Sequence, residues 1–263
     1  MKEGELRFNE RWHKYSVFQS GAWRNPPSVS AVKGILDKPA LMYWSAKITA
    51  EYCIKEVMPL IQSGDLVIAT EQEYKDLFKK AKGWFQEVSK EACDIGTETH
   101  AAIERYTLTG KMPDGLSETV QNSFNAYLQL EKDMDIEKPI ATEIPFYCED
   151  FDFCGTIDRI GRIGGKMAVL DYKTSKAFYE PDMPLQLAAY KMGAESLVKA
   201  GKLPQETEIG TAGIFRLDKE TGIPEYKDYT PWLKQSTQLF IQLRDVYDGL
   251  AAMKKISGLI YGD

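Results

Sequence analysis

The stretch VLDYKTSK, Val169 to Lys176, decides how the chain reads. Its valine and leucine suit a buried strand, yet the run stops at a carboxylate and then an ammonium group. Side chains repeat every two residues along a strand, so Asp171 and Lys173 share one face. As a solvated ion pair they would contribute little. In a cleft, the acid can hold a cation and the base can meet a nucleophile or a phosphate.

Working outward, PIATEIPFYCED (139–150), DFCGTIDRIGRI (152–163) and KMAVLDYK (166–173) read as three consecutive strands. Gly164-Gly165 lies midway between Asp158 and Asp171, so a hairpin turning there brings the two acids together. MPLQLAAYKMGAESLVKAG (183–201) reads as an amphipathic helix and TAGIFRLD (211–218) as a further strand. A last helix is expected from about Pro231 to Ile256. Upstream, LRFNERWHKYSVF suggests a hairpin near residues 6–18, and Ser28 caps a short helix through Leu36. Pro39 starts a long helix to Ile61. Thr70 starts another, ending near residue 88, and a further helix carries EACDIGTETHAAIERYTLTG to Gly110. Ser117 caps one more, to about Met134. The first half is thus mainly helical, with an elaboration over 1–90, a central core over 91–217, and a strand and helix over 218–263, all in one domain. The order helix, three strands, helix, strand makes the fold class α/β, an α-β-β-β-α-β mixed sheet.

The 263 residues suffice for a full core, and 43% hydrophobic with 27% charged residues is ordinary globular composition. No apolar run approaches the length of a membrane span, and MKEGELRF has no signal-peptide character, so a cytoplasmic protein is expected. Cys53, Cys93, Cys148 and Cys154 form no C-x-x-C pair and read as buried free thiols. The net charge of −6 does not suggest a surface coated for nucleic acid, but charge is unevenly placed. The first 38 residues hold seven Lys/Arg against four Asp/Glu, and Arg159 to Lys176 holds five against one. That basic ground around Asp171 is compatible with a polyanionic substrate.

Two further pairs share helix faces at i, i+4 spacing: His100 with Glu104, and Gln186 with Tyr190. Each residue has an ordinary explanation alone. His100 can pair with Glu104 on its helix, Asp158 can cap a loop, and the five tryptophans, Trp12, Trp23, Trp44, Trp84 and Trp232, read as packing residues. His13 reads as structural or surface. Taken together, the acids, lysine and imidazole are a set suited to phosphodiester hydrolysis. Carboxylates hold Mg²⁺ or Mn²⁺, and an imidazole among them favours the softer Mn²⁺. The ion lowers the pKa of water and stabilises charge on the phosphate, while the lysine assists the water or the transition state.

D-x-K behind a strand, the acid of GTID, an upstream G-T-x-x-H helix and a downstream Q-x-x-x-Y together resemble the PD-(D/E)XK nuclease superfamily. The nearest likeness is to its RecB-type exonuclease branch, which includes phage enzymes and the mitochondrial genome maintenance exonuclease. NPPSVSAVKGILDKPALMYWSAK (25–47) is also similar to phage members. The resemblance implies that the α/β core is restriction-endonuclease-like, with metal ligation by His100, Asp158, Asp171 and the Tyr172 carbonyl, and Lys173 catalytic beside Asp158 and Asp171. It implies contacts from Gln186 and Tyr190 to the site or the DNA, and Glu104 is expected to orient His100. Some relatives bind an iron–sulfur cluster through cysteines near the C-terminus; none follows Cys154 here, so no cluster is expected. The implied activity is a DNA exonuclease on single-stranded ends, in phage or prophage recombination beside phage recombination proteins. The alternatives are an inactive nucleic-acid-binding module of the same fold and a structure-specific endonuclease. A nucleotide hydrolase lacks support, because there is no Walker loop.

Overall fold

The computed structural model describes residues 2–9, 14–65 and 70–261, with side chains through 256. The chain divides into two units, residues 1–35 with 98–263, and residues 36–97. In the larger unit, β1 (Leu6–Asn9), β2 (Lys14–Gln19) and β3 (Ala22–Arg24) form an antiparallel sheet. Trp12 and His13, in the expected hairpin, lie outside the described residues. Val17 and Tyr15 pack on Cys154, and the Tyr15 and Thr156 hydroxyls bond at 2.8 Å. Helix α1 (Val29–Lys33) begins where Ser28 Oγ accepts the Ala31 N–H at 3.1 Å. It stops at Lys33, short of Leu36, and Gly34 closes it.

The smaller unit contains α2 (Pro39–Tyr52), α3 (Met58–Ser63) and the first part of α4 (Glu71–Thr109). Two sequence expectations are corrected here. The helix expected from Pro39 to Ile61 is interrupted by a π-helical turn over Cys53–Val57. Pro59 offers no N–H to the preceding turn, which disfavours regular α-helix there. Conversely, the helices expected over 70–88 and 91–110 are one helix. Nothing between Glu71 and Thr109 is a proline, and Lys90 Nζ meets Asp94 Oδ2 at 2.5 Å across the expected break. Thr70 and Glu73 cap its start reciprocally, with Thr70 N–H on Glu73 Oε2 and Glu73 N–H on Thr70 Oγ1. Tyr52, Val57 and Ala81 are the buried residues of this unit's core, with Leu77 and Trp84 against them. Cys53 and Cys93 are exposed, contrary to the expectation of four buried thiols; only Cys148 and Cys154 are buried.

In the larger unit α5 (Glu118–Asp133) precedes the main sheet; Ser117 flanks it without a side-chain cap bond. The sheet order is β4 (Ala141–Cys148), β5 (Phe153–Ile163), β6 (Lys166–Lys173), β7 (Thr211–Leu217) and β8 (Pro224–Asp228). Gly164 and Gly165, with φ of 54° and 74°, make the two-residue turn between β5 and β6, as a tight hairpin requires. β7 joins β6 in parallel after the crossover helix α6 (Asp182–Lys199), and the other pairings are antiparallel. Alternation along β6 sorts its residues. Ala168, Leu170 and Tyr172 enter a core with Ile103, Phe124, Tyr127 and Phe215, while the intervening positions turn toward α6. Burying a leucine, isoleucine or phenylalanine side chain there contributes roughly 1.5–3 kcal/mol. Helix α7 (Leu233–Tyr261) packs on α6. No helix among the described residues is long and apolar enough to cross a membrane.

Candidate active site and metal centre

The hairpin register places Arg159 opposite Leu170, so Asp158 and Asp171 follow side by side where β5 and β6 diverge. Both are buried. Asp158 Oδ2 accepts the Tyr172 N–H at 3.0 Å, and its Oδ1 accepts the Tyr190 hydroxyl at 3.1 Å. The i, i+4 spacing on α6 then makes sense. Gln186 Nε2 donates to Tyr190 Oη at 2.8 Å and to Asp171 Oδ1 at 2.6 Å. Lys173 Nζ lies 2.5 Å from the other oxygen, Asp171 Oδ2. Gln186 and Tyr190 thereby join the two acids in one hydrogen-bonded network.

His100 reaches this network from the larger unit's part of α4. Its Nε2 lies 3.1 Å from the Tyr172 carbonyl oxygen, and its Nδ1 3.2 Å from Glu143 Oε1 and 3.5 Å from Asp158 Oδ2. Oxygens accept at both ring nitrogens, an arrangement that suits the doubly protonated ring. Burial alone would lower the His100 pKa, but the Asp158 charge and the Glu143 bond outweigh it and raise it to about 9. For Asp171 burial dominates: despite the opposing Lys173 charge, its pKa rises to about 6. Burial would lower Lys173, yet Asp171 and Asp158 hold it above its ordinary value.

Glu143 was missed by the sequence reading. It sits on β4 between the pairs Thr142↔Arg159 and Ile144↔Ile157, which puts it across from Asp158. Its φ of 45° is unusual for a non-glycine residue in a strand, and such outliers cluster at functional sites. The available signal was positional, an acid on the first strand in register with the acids on the next two. Glu104, by contrast, does not orient His100. The groups at its ring nitrogens come from β4, β5 and β6, with Glu143 at Nδ1.

The donor set fits a divalent cation. One ligand atom each from His100, Glu143 and Asp158 lies within 4.8 Å of the others. Asp171 stands outside that trio, tied to Lys173 and Gln186. Carboxylate oxygens with one imidazole suit Mg²⁺ or Mn²⁺, and the crowding of acids that raises the His100 pKa also favours a cation. The basic ground around Asp171 is smaller than the sequence suggested. Arg159 is buried, bonding Tyr127 Oη at 3.0 Å and the Glu137 carbonyl at 2.8 Å. Its strand position faces the helical core, on the opposite face of β5 from Asp158. Among the described tryptophans, Trp84 packs on Tyr52 and Trp44 on Phe85, whereas Trp232 is exposed.

Compared with curated protein sequences, the chain matches none. A family model does match, described as the PD-(D/E)XK nuclease superfamily, over residues 69–256. That span includes α4 from its first residue, all five strands of the main sheet and every acid, base and amide of the network above. With a mixed five-stranded sheet, the hairpin acids and the D-x-K strand end all inside the match, the chain belongs to the PD-(D/E)XK nuclease superfamily.

Proposed function

We propose that the protein is a divalent-metal-dependent DNA exonuclease of the RecB-type branch, acting on single-stranded ends in phage or prophage recombination and DNA processing. The observation that carries the nuclease reading is the convergence of His100, Glu143 and Asp158 beside the Asp171–Lys173 pair. His100 as the neutral ring, Glu143, Asp158 and Asp171, with the Tyr172 carbonyl, would hold Mg²⁺ or Mn²⁺. The bound ion would supply Lewis acidity at the phosphate and a lowered pKa for attacking water. Lys173, held by Asp171, brings a fixed positive charge to the phosphate in the transition state. Gln186 and Tyr190 keep the two acids in orientation. The exonuclease assignment rests on the order G-T-x-x-H, GTID, DYK, Q-x-x-x-Y and its likeness to the RecB-type branch.

The test is a linear single strand and a covalently closed circle of the same sequence, each with Mn²⁺ and with Mg²⁺. Degradation of the linear strand beside a resistant circle supports the assignment. Equal digestion of both replaces it with an endonuclease. Binding of both without cleavage in either metal points to a module that kept the fold and lost the activity.

A further inference from the structure

Lys33 is a buried lysine with no part in the chemistry described so far. It closes α1, and its side chain is 5% exposed. An ammonium group in such a place must use its donors. All three are used: Nζ donates to the Asp182 carbonyl at 3.1 Å, to Asp182 Oδ2 at 2.8 Å and to Gln186 Oε1 at 2.9 Å. Asp182 is 28% exposed and water can solvate it, so neutralising that carboxylate does not require a buried partner. The bond to Gln186 is the informative one.

Gln186 is the amide that touches both sides of the acid pair. With Oε1 on the Lys33 ammonium, its two N–H groups face Asp171 Oδ1 and Tyr190 Oη, and the Tyr190 hydroxyl donates its own hydrogen bond to Asp158 Oδ1. The reversed amide would set an N–H against an ammonium and an oxygen 2.6 Å from a carboxylate oxygen, both repulsive. One cation therefore selects one amide orientation, and that orientation sets two carboxylates.

We propose that Lys33 is a positioning residue of the active site, acting through Gln186 to fix how Asp171 and Asp158 present their oxygens to a divalent ion. The proposal rests on the nuclease reading for its kinetic consequences and on cation binding alone for the rest. It places a requirement of the site in the N-terminal segment, outside the span matched to the superfamily.

A double-mutant cycle tests it, with Lys33→Met, Gln186→Met and the double variant. Each is measured for the Mn²⁺ concentration giving half the maximal thermal shift, and for kcat and KM on linear single-stranded DNA. Loss of a residue that orients metal ligands typically costs about 10–100-fold in metal affinity or activity. Lys33→Met should show such a loss in Mn²⁺ affinity and in kcat, with KM little changed. Once Gln186 is gone, the same substitution should cost almost nothing, because coupled residues are non-additive. Independent multiplication of the two losses, or an Mn²⁺ midpoint in Lys33→Met equal to the wild type, overturns the proposal. If Lys33→Met does not fold, Lys33→Gln takes its place in the same cycle. If the wild type binds Mn²⁺ but cuts nothing, the nuclease reading fails while coupling in the Mn²⁺ midpoint still decides the role of Lys33.

Discussion

Lys173 Nζ sits 2.5 Å from Asp171 Oδ2, pairing a lysine side chain 25% exposed with a carboxylate that is fully buried. The ion pair at the end of β6 is therefore not the solvated pair that D-x-K suggests in isolation. The carboxylate is held between an ammonium on one oxygen and the Gln186 amide on the other. Removing the ammonium leaves a buried acid beside Asp158. Lys173→Met should cut cleavage by at least about 100-fold, the scale of losing one transition-state donor. It should leave the Mn²⁺-induced thermal shift at least as large as in the wild type, since a cation then has less competition for Asp171. Loss of that shift together with cleavage would recast Lys173 as structural.

Asp171→Asn makes the complementary test. The asparagine oxygen can still accept from Gln186, and removing one charge relieves the repulsion with Asp158 in the metal-free protein. The metal-free variant should melt no lower than the wild type. Its Mn²⁺-induced shift should largely vanish, because a cation stabilises only the state that binds it. Thermal unfolding with and without Mn²⁺ reads both. An undiminished shift would remove Asp171 from the metal site.

The strand end, the glycine turn and the helix spacing were legible because each depends on local periodicity. Asp158 and Asp171 meet through a hairpin whose two-glycine turn is written in the sequence, and Gln186 bonds Tyr190 through an i, i+4 spacing. Glu143 and Lys33 were not legible. Glu143 depends on the β4–β5 register and on a left-handed backbone that its residue type does not favour. Lys33 depends on a contact across 153 residues of chain. Arg159 looked like substrate-facing charge until strand alternation placed it in the core. The continuity of α4 was not legible: the sequence reading placed one helix end near residue 88 and a new helix just after it, whereas the helical backbone is unbroken from Glu71 to Thr109.

Gly155, in GTID, has a packing reason to be glycine. A Cβ there would lie 2.7 Å from Phe146 Cε1 and 2.9 Å from Val29 Cγ2. Gly193 on α6 faces the same ring, with a Cβ distance of 2.6 Å. Phe146 is thus clamped between strand and helix and has little room to yield. Gly155→Ala should destabilise by about 1–3 kcal/mol, the usual cost of overpacking a core. Urea unfolding measures this, and Phe146→Leu in the same chain should recover part of the loss. A neutral Gly155→Ala would mean that the ring and strand relax freely.

His100 gives the site a pH dependence of definite sign. Its pKa is raised from 6.5 to about 9 in the folded protein, so its stabilising contribution is complete below 6.5 and lost as pH climbs through 9. Asp171, raised to about 6, has largely finished titrating by pH 7, and Lys173 stays charged across the interval. The window from pH 7 to 9 therefore isolates His100, once compared with His100→Asn to cancel the cysteines and the unfolded chain. Without metal, the wild type should lose melting temperature across this window and His100→Asn should lose much less. Ligation by the imidazole must displace its proton, so Mg²⁺ affinity should rise about tenfold per pH unit up to the His100 pKa. In His100→Asn that slope should flatten and affinity should be low throughout. Thermal shift titrations with Mg²⁺ at half-unit steps give both quantities from the same samples. A wild-type affinity flat from pH 7 to 9, with the melting temperature still falling, would leave His100 as an ion-pair partner of Glu143 and Asp158 and take it out of the metal site.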